Sequence, residues 1–311
     1  MGILKDLGRF PIAFGGASIS GEGGGYGFGD ISESDAIDLL NYSYEQGIRV
    51  FDSAPIYGFG ESEKRIGKAF KNFREKVYLI SKSGVDWHQN GRVNMTNDPK
   101  ITQKMLEQSL KRFQSDYIDL YMIHWPSEQI DIRKPLEVLA KAKMQGKIKH
   151  IGLCNSNVED YKKASEVDKI EVLQAEHSFF ENKSYLEFEE IIKNDDLSFM
   201  GWGTLEKGIL TKRVDENRTF DKSDCRSWAP WWKKGPKDKK IEAMKKLWPF
   251  FERERIDPLS FALGASLCFE GVEMALCGAR SISQLDGILV ALNNPIKKEI
   301  FDRAKELSGA L

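Results

Sequence analysis

The chain has 311 residues, 41% of them hydrophobic and 30% charged, with a formal net charge of −1. That is enough apolar material for a large core, and the charge balance gives nucleic acid or an anionic membrane no electrostatic reason to bind. The longest apolar runs fall far short of a membrane span; the opening MGILKDLGRF has no signal-peptide hydrophobic region and no serine or threonine at position 6 for myristoylation.

Short apolar strands alternate with longer amphipathic stretches. In chain order the expected strands are 12–15, 48–51, 77–81, 118–123, 148–153, 172–175, 197–201 and 274–277. Helical patterns separate them. SESDAIDLLNYSYEQG opens on a Ser32 cap and closes at Gly47, as helix ends prefer. GESEKRIGKAFKNF, DPKITQKMLEQSLKRF, KPLEVLAKAKMQGK, NVEDYKKASEV, YLEFEEIIKND, DPLSFALGASLCFE and SISQLDGILVALN follow.

Eight such repeats imply parallel strands joined by crossover helices, and they favour a closed (β/α)8 TIM barrel over an open doubly wound sheet. The open sheet would want a G-x-G-x-x-G fingerprint after its first strand. GEGGGYGFG, starting at Gly21, never places a glycine at the sixth position, and it reads as a mobile loop at the barrel mouth. An insertion (211–237), an extra helix (KKIEAMKKLWPFFERER) before the seventh barrel helix and a C-terminal helix (PIKKEIFDRAKELSGAL) complete one expected domain over 1–311.

Functional groups of such barrels stand at the C-terminal ends of the strands. The second strand ends in Asp52, the third in Lys82 and the fourth in His124, and Tyr57 lies on the loop leaving the second. Neighbouring strands lie about 4.8 Å apart, so these groups converge on one rim. Singly, each has a plainer reading as turn-former, solvated lysine, surface aromatic or core histidine; together they suit proton delivery by a phenol. An ammonium close to Tyr57 would lower its pKa from about 10 by one to three units, with Asp52 keeping Lys82 charged and His124 orienting a substrate oxygen.

Asp52-x4-Tyr57, the lysine in ISKSG and the histidine in YMIHWP resemble the tetrad of the aldo-keto reductases, in order and spacing, over nearly the whole chain. The resemblance implies a (β/α)8 barrel holding an extended NADPH, with NADH the less favoured cofactor. Tyr57 would protonate a carbonyl as hydride leaves the nicotinamide. It also implies cofactor contacts from Asn155 and Gln174 to the carboxamide, and from Trp202 to the ring. Leu205, Lys207, Gly208 and Leu210 match a pyrophosphate strap, and Gly278, Arg280 and Gln284 a 2′-phosphate grip. Cys154 stands for the usual serine, and Glu206, in place of a glycine, puts a like charge beside the pyrophosphate.

Trp87 and Trp125, on loops leaving the third and fourth strands, are candidates for the substrate pocket. The expected partner is a small-molecule carbonyl compound. Two other readings are a cofactor-sensing module that binds NADPH and a partner with little turnover, and a Schiff-base aldolase using Lys82. The four cysteines include no C-x-x-C pair and suit a reducing cytoplasm, and the four histidines show no metal-ligand spacing.

Overall fold

The computed structural model describes residues 2–21, 25–233 and 235–309. Eight strands close into a parallel barrel in which each pairs with its neighbours in sequence: β1 (Ile12–Gly15), β2 (Val50–Asp52), β3 (Tyr78–Ser83), β4 (Ile118–Ile123), β5 (Ile148–Cys154), β6 (Val172–Glu176), β7 (Ser198–Trp202) and β8 (Val272–Cys277). Helices α1 (Glu33–Glu45), α2 (Glu61–Phe70), α3 (Pro99–Phe113), α4 (Arg133–Met144), α5 (Val158–Ser165) and α6 (Lys183–Asn194) follow the first six strands. The expected extra helix is α7 (Lys237–Glu254), ahead of the seventh barrel helix α8 (Pro258–Leu267); α9 (Ile282–Leu292) and a terminal α10 (Lys298–Ser308) complete the fold. The (β/α)8 expectation holds, and with it the exclusion of an open sheet.

Side chains alternate across each strand. Outward residues such as Phe51, Leu79, Tyr121 and Leu153 pack under the helices. Inward residues Val50, Ile80, Met122, Val172, Met200 and Met274 fill the barrel, and Leu4 closes its base, held through its N–H by Ser198 and Glu273. Moving two residues along β2, β3, β4, β6 and β7 from this apolar layer reaches Asp52, Lys82, His124, Gln174 and Trp202. The polar rim is therefore the topmost inward layer of the barrel. A second cluster built on Phe179, Phe250, Phe251, Phe261 and Phe301 anchors α7 and α10 to the side.

Sequence expectation missed a β-hairpin. Directly after β3, Val85–Trp87 and Val93–Met95 pair as an antiparallel hairpin around Asn90-Gly91. Its strands are only three residues each, shorter than the runs of about four to eight residues that mark a strand in a sequence. In the glycine-rich segment, residues 22–24 lie outside the described residues. Among the described residues no helix is long and apolar enough to cross a membrane.

His177, the residue after β6, is fully buried against Tyr185, Phe199 and Phe269. Its Nε2–H donates to the Ser266 carbonyl at 3.1 Å, and burial lowers its pKa to about 4. The unfolded chain takes up the proton below about pH 6.5, so this contribution is complete above that pH and is lost as pH falls towards 4. At pH 5 the loss is about 2 kcal/mol. Urea unfolding of the wild type should show this extra loss between pH 7 and 5 relative to His177→Gln; identical pH dependences would contradict it.

Candidate active site

Lys82 and Asp52 form a buried ion pair at the centre of the rim. Both side chains are 1% exposed or less, and the Lys82 Nζ lies 2.7 Å from each Asp52 oxygen and 2.9 Å from the Ser53 carbonyl. An ammonium has three hydrogens, and these three acceptors use them. Burial pulls the Lys82 pKa down, but Asp52 more than offsets it, with smaller help from Tyr57 and Cys154, so the amine is held charged. Ser53 is fixed in turn: its hydroxyl donates to Ser62, and the Ser62 hydroxyl donates to the Gly16 carbonyl.

Tyr57 opens a tight turn that leads into α2. Gly58 (φ 60°), Phe59 (φ 53°) and Gly60 (φ 95°) are all left-handed, a conformation glycine adopts without steric cost. A Cβ on Gly58 would come within 2.5 Å of the Ser20 carbonyl. The turn sets the Tyr57 ring over the ion pair, its centroid 5.5 Å from the Lys82 Nζ, and edge-on to His124 at 6.1 Å.

The phenol is not acidified overall. Burial raises its pKa, Lys82 lowers it, and Asp52 and Cys154 raise it again, to about 12. Lys82 acts in the direction expected from the sequence, but burial outweighs it. The ammonium also spends its hydrogens elsewhere, so its influence on the phenol is Coulombic. Burial, then the Lys82 charge, push the His124 pKa well below the usual value, so the imidazole is neutral. Its N–H backbone donor meets the Ser83 carbonyl at 2.7 Å.

The loop leaving β4 is held by buried Asn97, which sequence reading missed. Its amide donates to the Trp125 carbonyl and accepts from the Ser127 N–H. Trp125 is 39% exposed beside His124. Trp87 instead packs on Phe59 with the Arg112 guanidinium near its ring, which is scaffold packing for the hairpin. Tyr26, also missed, packs with Tyr57 on Ala54, Ile56 and Val85 and touches Trp228 of the insertion. Its φ of 61° is unusual for an aromatic residue, and in the sequence it is hidden within the glycine-rich segment.

The opposite half of the rim is a hydrogen-bonded series. The Trp202 Nε1–H donates to the Asn155 Oδ1 at 3.0 Å, and the Asn155 Nδ2 donates to the His124 carbonyl at 3.0 Å and to the Cys154 Sγ at 3.1 Å. Cys154 donates to the Gln174 Oε1 at 3.3 Å, and the Gln174 Nε2 donates to the Asp52 Oδ1 at 2.9 Å. Asn155, at φ 52°, occupies the left-handed region that asparagine tolerates better than most residues.

The strap residues diverge. Leu205 precedes a single turn of 3-10 helix (Glu206–Gly208), in which Gly208 has φ 103°, and Leu210 is fully buried in the side cluster. Lys207 pairs with Glu176 and lies near the Trp202 and Trp231 rings. Glu206 turns inward: Lys240 of α7 contacts both of its oxygens at 2.8 Å and the Ser178 hydroxyl donates to it at 2.5 Å. The like charge expected beside a pyrophosphate is thus neutralised from the added helix, a pairing that sequence reading missed.

Gly278 and Arg280 follow β8, and Ser281 caps α9 by accepting from the Gln284 N–H. The Gln284 side chain accepts from the Arg280 N–H. The Arg280 guanidinium reaches back to the loop after β1 and donates to the Phe28 carbonyl at 2.8 Å and the Asp30 carbonyl at 2.7 Å. Two of its five donors are engaged, which leaves three for an anion at the exposed start of α9.

Comparison with known proteins agrees with this geometry. Residues 11–308 match the model of the Aldo/keto reductase family. The chain belongs to this family. Aldo-keto reductase YhdN of Bacillus subtilis (strain 168) is 32% identical over 268 residues, 85% of this chain and 81% of the relative. The NADH-specific methylglyoxal reductase of Escherichia coli (strain K12) is 27% identical over 296 residues, 91% and 90% of the two chains. The glycerol dehydrogenase AKR11B4 from Gluconobacter oxydans superposes with a TM-score of 0.81 at 26% identity, covering 96% of this chain and 90% of that one.

Members of the Aldo/keto reductase family are oxidoreductases that use nicotinamide cofactors. The residues here fit such a group by the chemistry of their donors and acceptors. Two amides with spare acceptor capacity stand beside an indole at one end of the rim, and a guanidinium at a helix start stands at the other. Among the described residues no group of three or more His, Cys, Asp or Glu side chains is arranged to hold a metal ion.

Proposed function

We propose that the protein reduces an aldehyde or ketone to the alcohol, with NADPH as the hydride source and Tyr57 as the proton donor. One observation carries this reading: of the described proton-bearing side chains around the rim, only the phenol has a proton both uncommitted and dissociable. Lys82 is held charged with its hydrogens on Asp52 and Ser53. Cys154 gives its hydrogen to Gln174. His124 is neutral, so it can hydrogen-bond a carbonyl oxygen and fix its direction without acting as the acid.

A nicotinamide held by these residues would supply hydride to the carbonyl carbon. As electron density moves onto the carbonyl oxygen, that oxygen becomes more basic than a phenolate, and Tyr57 gives it a proton even with its pKa at about 12. The phenolate that remains faces Lys82, whose attraction is worth up to ~4 kcal/mol at a moderate effective dielectric. Asp52 keeps that ammonium charged and aimed. A Schiff-base role for Lys82 is disfavoured by the same contacts, since imine formation needs a free, neutral amine.

Trp125, Tyr26 and Trp228 supply aromatic walls at the mouth, which suits a small carbonyl compound as substrate. The preference for NADPH over NADH rests on Arg280 and its three spare donors; the Escherichia coli relative, by contrast, is NADH-specific.

Tyr57→Phe is expected to abolish carbonyl reduction while NADPH affinity, followed by tryptophan quenching, changes little. A variant that keeps most of its activity on a good aldehyde would mean that the acid is another group. Arg280→Ala should weaken NADPH roughly tenfold or more through the lost charge-assisted contact and leave NADH nearly unchanged. Equal loss for both cofactors in the same titration would refute 2′-phosphate recognition.

A further inference from the structure

The turn that carries Tyr57 is gripped from two sides. At Gly58 it lies against the Ser20 carbonyl, and at Gly60 it lies against Arg112 of α3. A Cβ on Gly60 would come within 2.6 Å of the Arg112 Nε and 2.8 Å of its Cδ. Glycine at position 60 therefore serves the close approach as well as the left-handed backbone. The same guanidinium lies 5.6 Å from the centre of the Trp87 ring, and Trp87 packs on Phe59 of the turn at 5.3 Å.

Arg112 also reaches inward. Its Nη1 donates to the Glu63 Oε2 at 2.8 Å, and its Nη2 donates to the Gln108 Oε1 at 3.2 Å. Glu63 stands in the first turn of α2, directly downstream of the Tyr57 turn, and its side chain is fully buried. Its other oxygen accepts from the Ser81 hydroxyl at 2.6 Å. Ser81 precedes Lys82 on β3, and side chains alternate along a strand, so Ser81 faces the helices while Lys82 faces the barrel interior. Contacts thus run from the lysine's own strand through Ser81 and Glu63 to Arg112, and from Arg112 to the turn behind Tyr57.

This bridge matters because no hydrogen bond from the amine holds the phenol. The Lys82 hydrogens are spent on Asp52 and Ser53, and the ammonium acts on Tyr57 by charge alone. The separation of the two groups is therefore set by the scaffold that carries them.

We infer that Arg112 is a positioning residue for the proton transfer: through Glu63 and Gly60 it holds the Tyr57 phenol in register with the Lys82 ammonium. This rests on the reading of Tyr57 as the acid and adds to it the side chain that keeps the acid in place. Glu63 and Arg112 meet on the helix side of β3, so neither touches the reacting atoms.

The test replaces the pair with neutral residues, Glu63→Gln together with Arg112→Met, so that no buried charge is left without a partner. The second variant, Arg112→Lys, keeps a cation for Glu63 but removes the planar group from Gly60. Reduction of a good aldehyde at saturating NADPH is followed in H2O and D2O, and NADPH dissociation constants come from tryptophan quenching.

The double variant should lose about tenfold or more in kcat, since a misplacement of about 1 Å can cost up to about a hundredfold. Its solvent isotope effect on kcat should rise about twofold over wild type as proton delivery becomes limiting, while NADPH affinity stays within about threefold. General loosening of the fold would lower the active fraction and leave the isotope effect where it was. Arg112→Lys should move kcat and the isotope effect in the same directions by smaller factors, and it decides alone where the double variant does not fold. Unchanged kcat in a folded variant, or a lowered kcat with an unchanged isotope effect, would overturn the inference and leave Tyr57 as the acid. A wild type that reduces no aldehyde, or a Tyr57→Phe that does, would overturn the reading beneath it.

Discussion

A charged amine in the sealed interior of a barrel is the constraint from which the rest of the site follows. Lys82 stands where the apolar layers end, fully buried, and isolated it would shed its proton. Asp52, on the adjacent strand, prevents that by meeting the ammonium with both oxygens. The pair need not stabilise the fold, since desolvating two charges can cost as much as their attraction returns. Its retention is better explained by what it does to its neighbours.

Those neighbours are all neutral. Burial and the Lys82 charge hold His124 uncharged, burial keeps Cys154 a thiol, and burial keeps Tyr57 a phenol. The rim thus holds one oriented ion pair inside a ring of proton-bearing but uncharged groups. A negative charge that appears on a carbonyl oxygen or on the phenol finds its strongest local stabilisation at Lys82. The same carboxylate that fixes the lysine also terminates the hydrogen-bonded series through Gln174 and Cys154. The acid-base half and the cofactor half of the rim are therefore joined at Asp52.

Much of this was legible in the chain. The strands showed as apolar runs, and their polar terminal residues stood out because each continues the inward register of a buried strand. Asp52, Lys82 and His124 were readable on those grounds, as was the Ser32 cap of α1. Strand limits shifted by up to two residues, as at Val50, where Ile48 packs outside the sheet.

The features that were not legible depend on distance or burial. Lys240 meets Glu206 across 34 residues, and Arg280 meets Phe28 across 252; no local pattern encodes either contact. The pKa of Tyr57 was misjudged because residue type reveals a nearby charge but not how far water is excluded. The hairpin around Asn90-Gly91 was missed because its strands, at three residues each, are too short for their alternation to stand out.

The most direct test of the account is a titration of Tyr57 in the unliganded protein by tyrosine-selective carbon NMR, in wild type and Lys82→Met. The Tyr57 resonance is expected to keep its phenol shift at about pH 10.5, where free tyrosine is mostly ionised, and removing the ammonium should make ionisation harder still. A Tyr57 already half ionised at or below about pH 10, or one indifferent to the loss of Lys82, would contradict it.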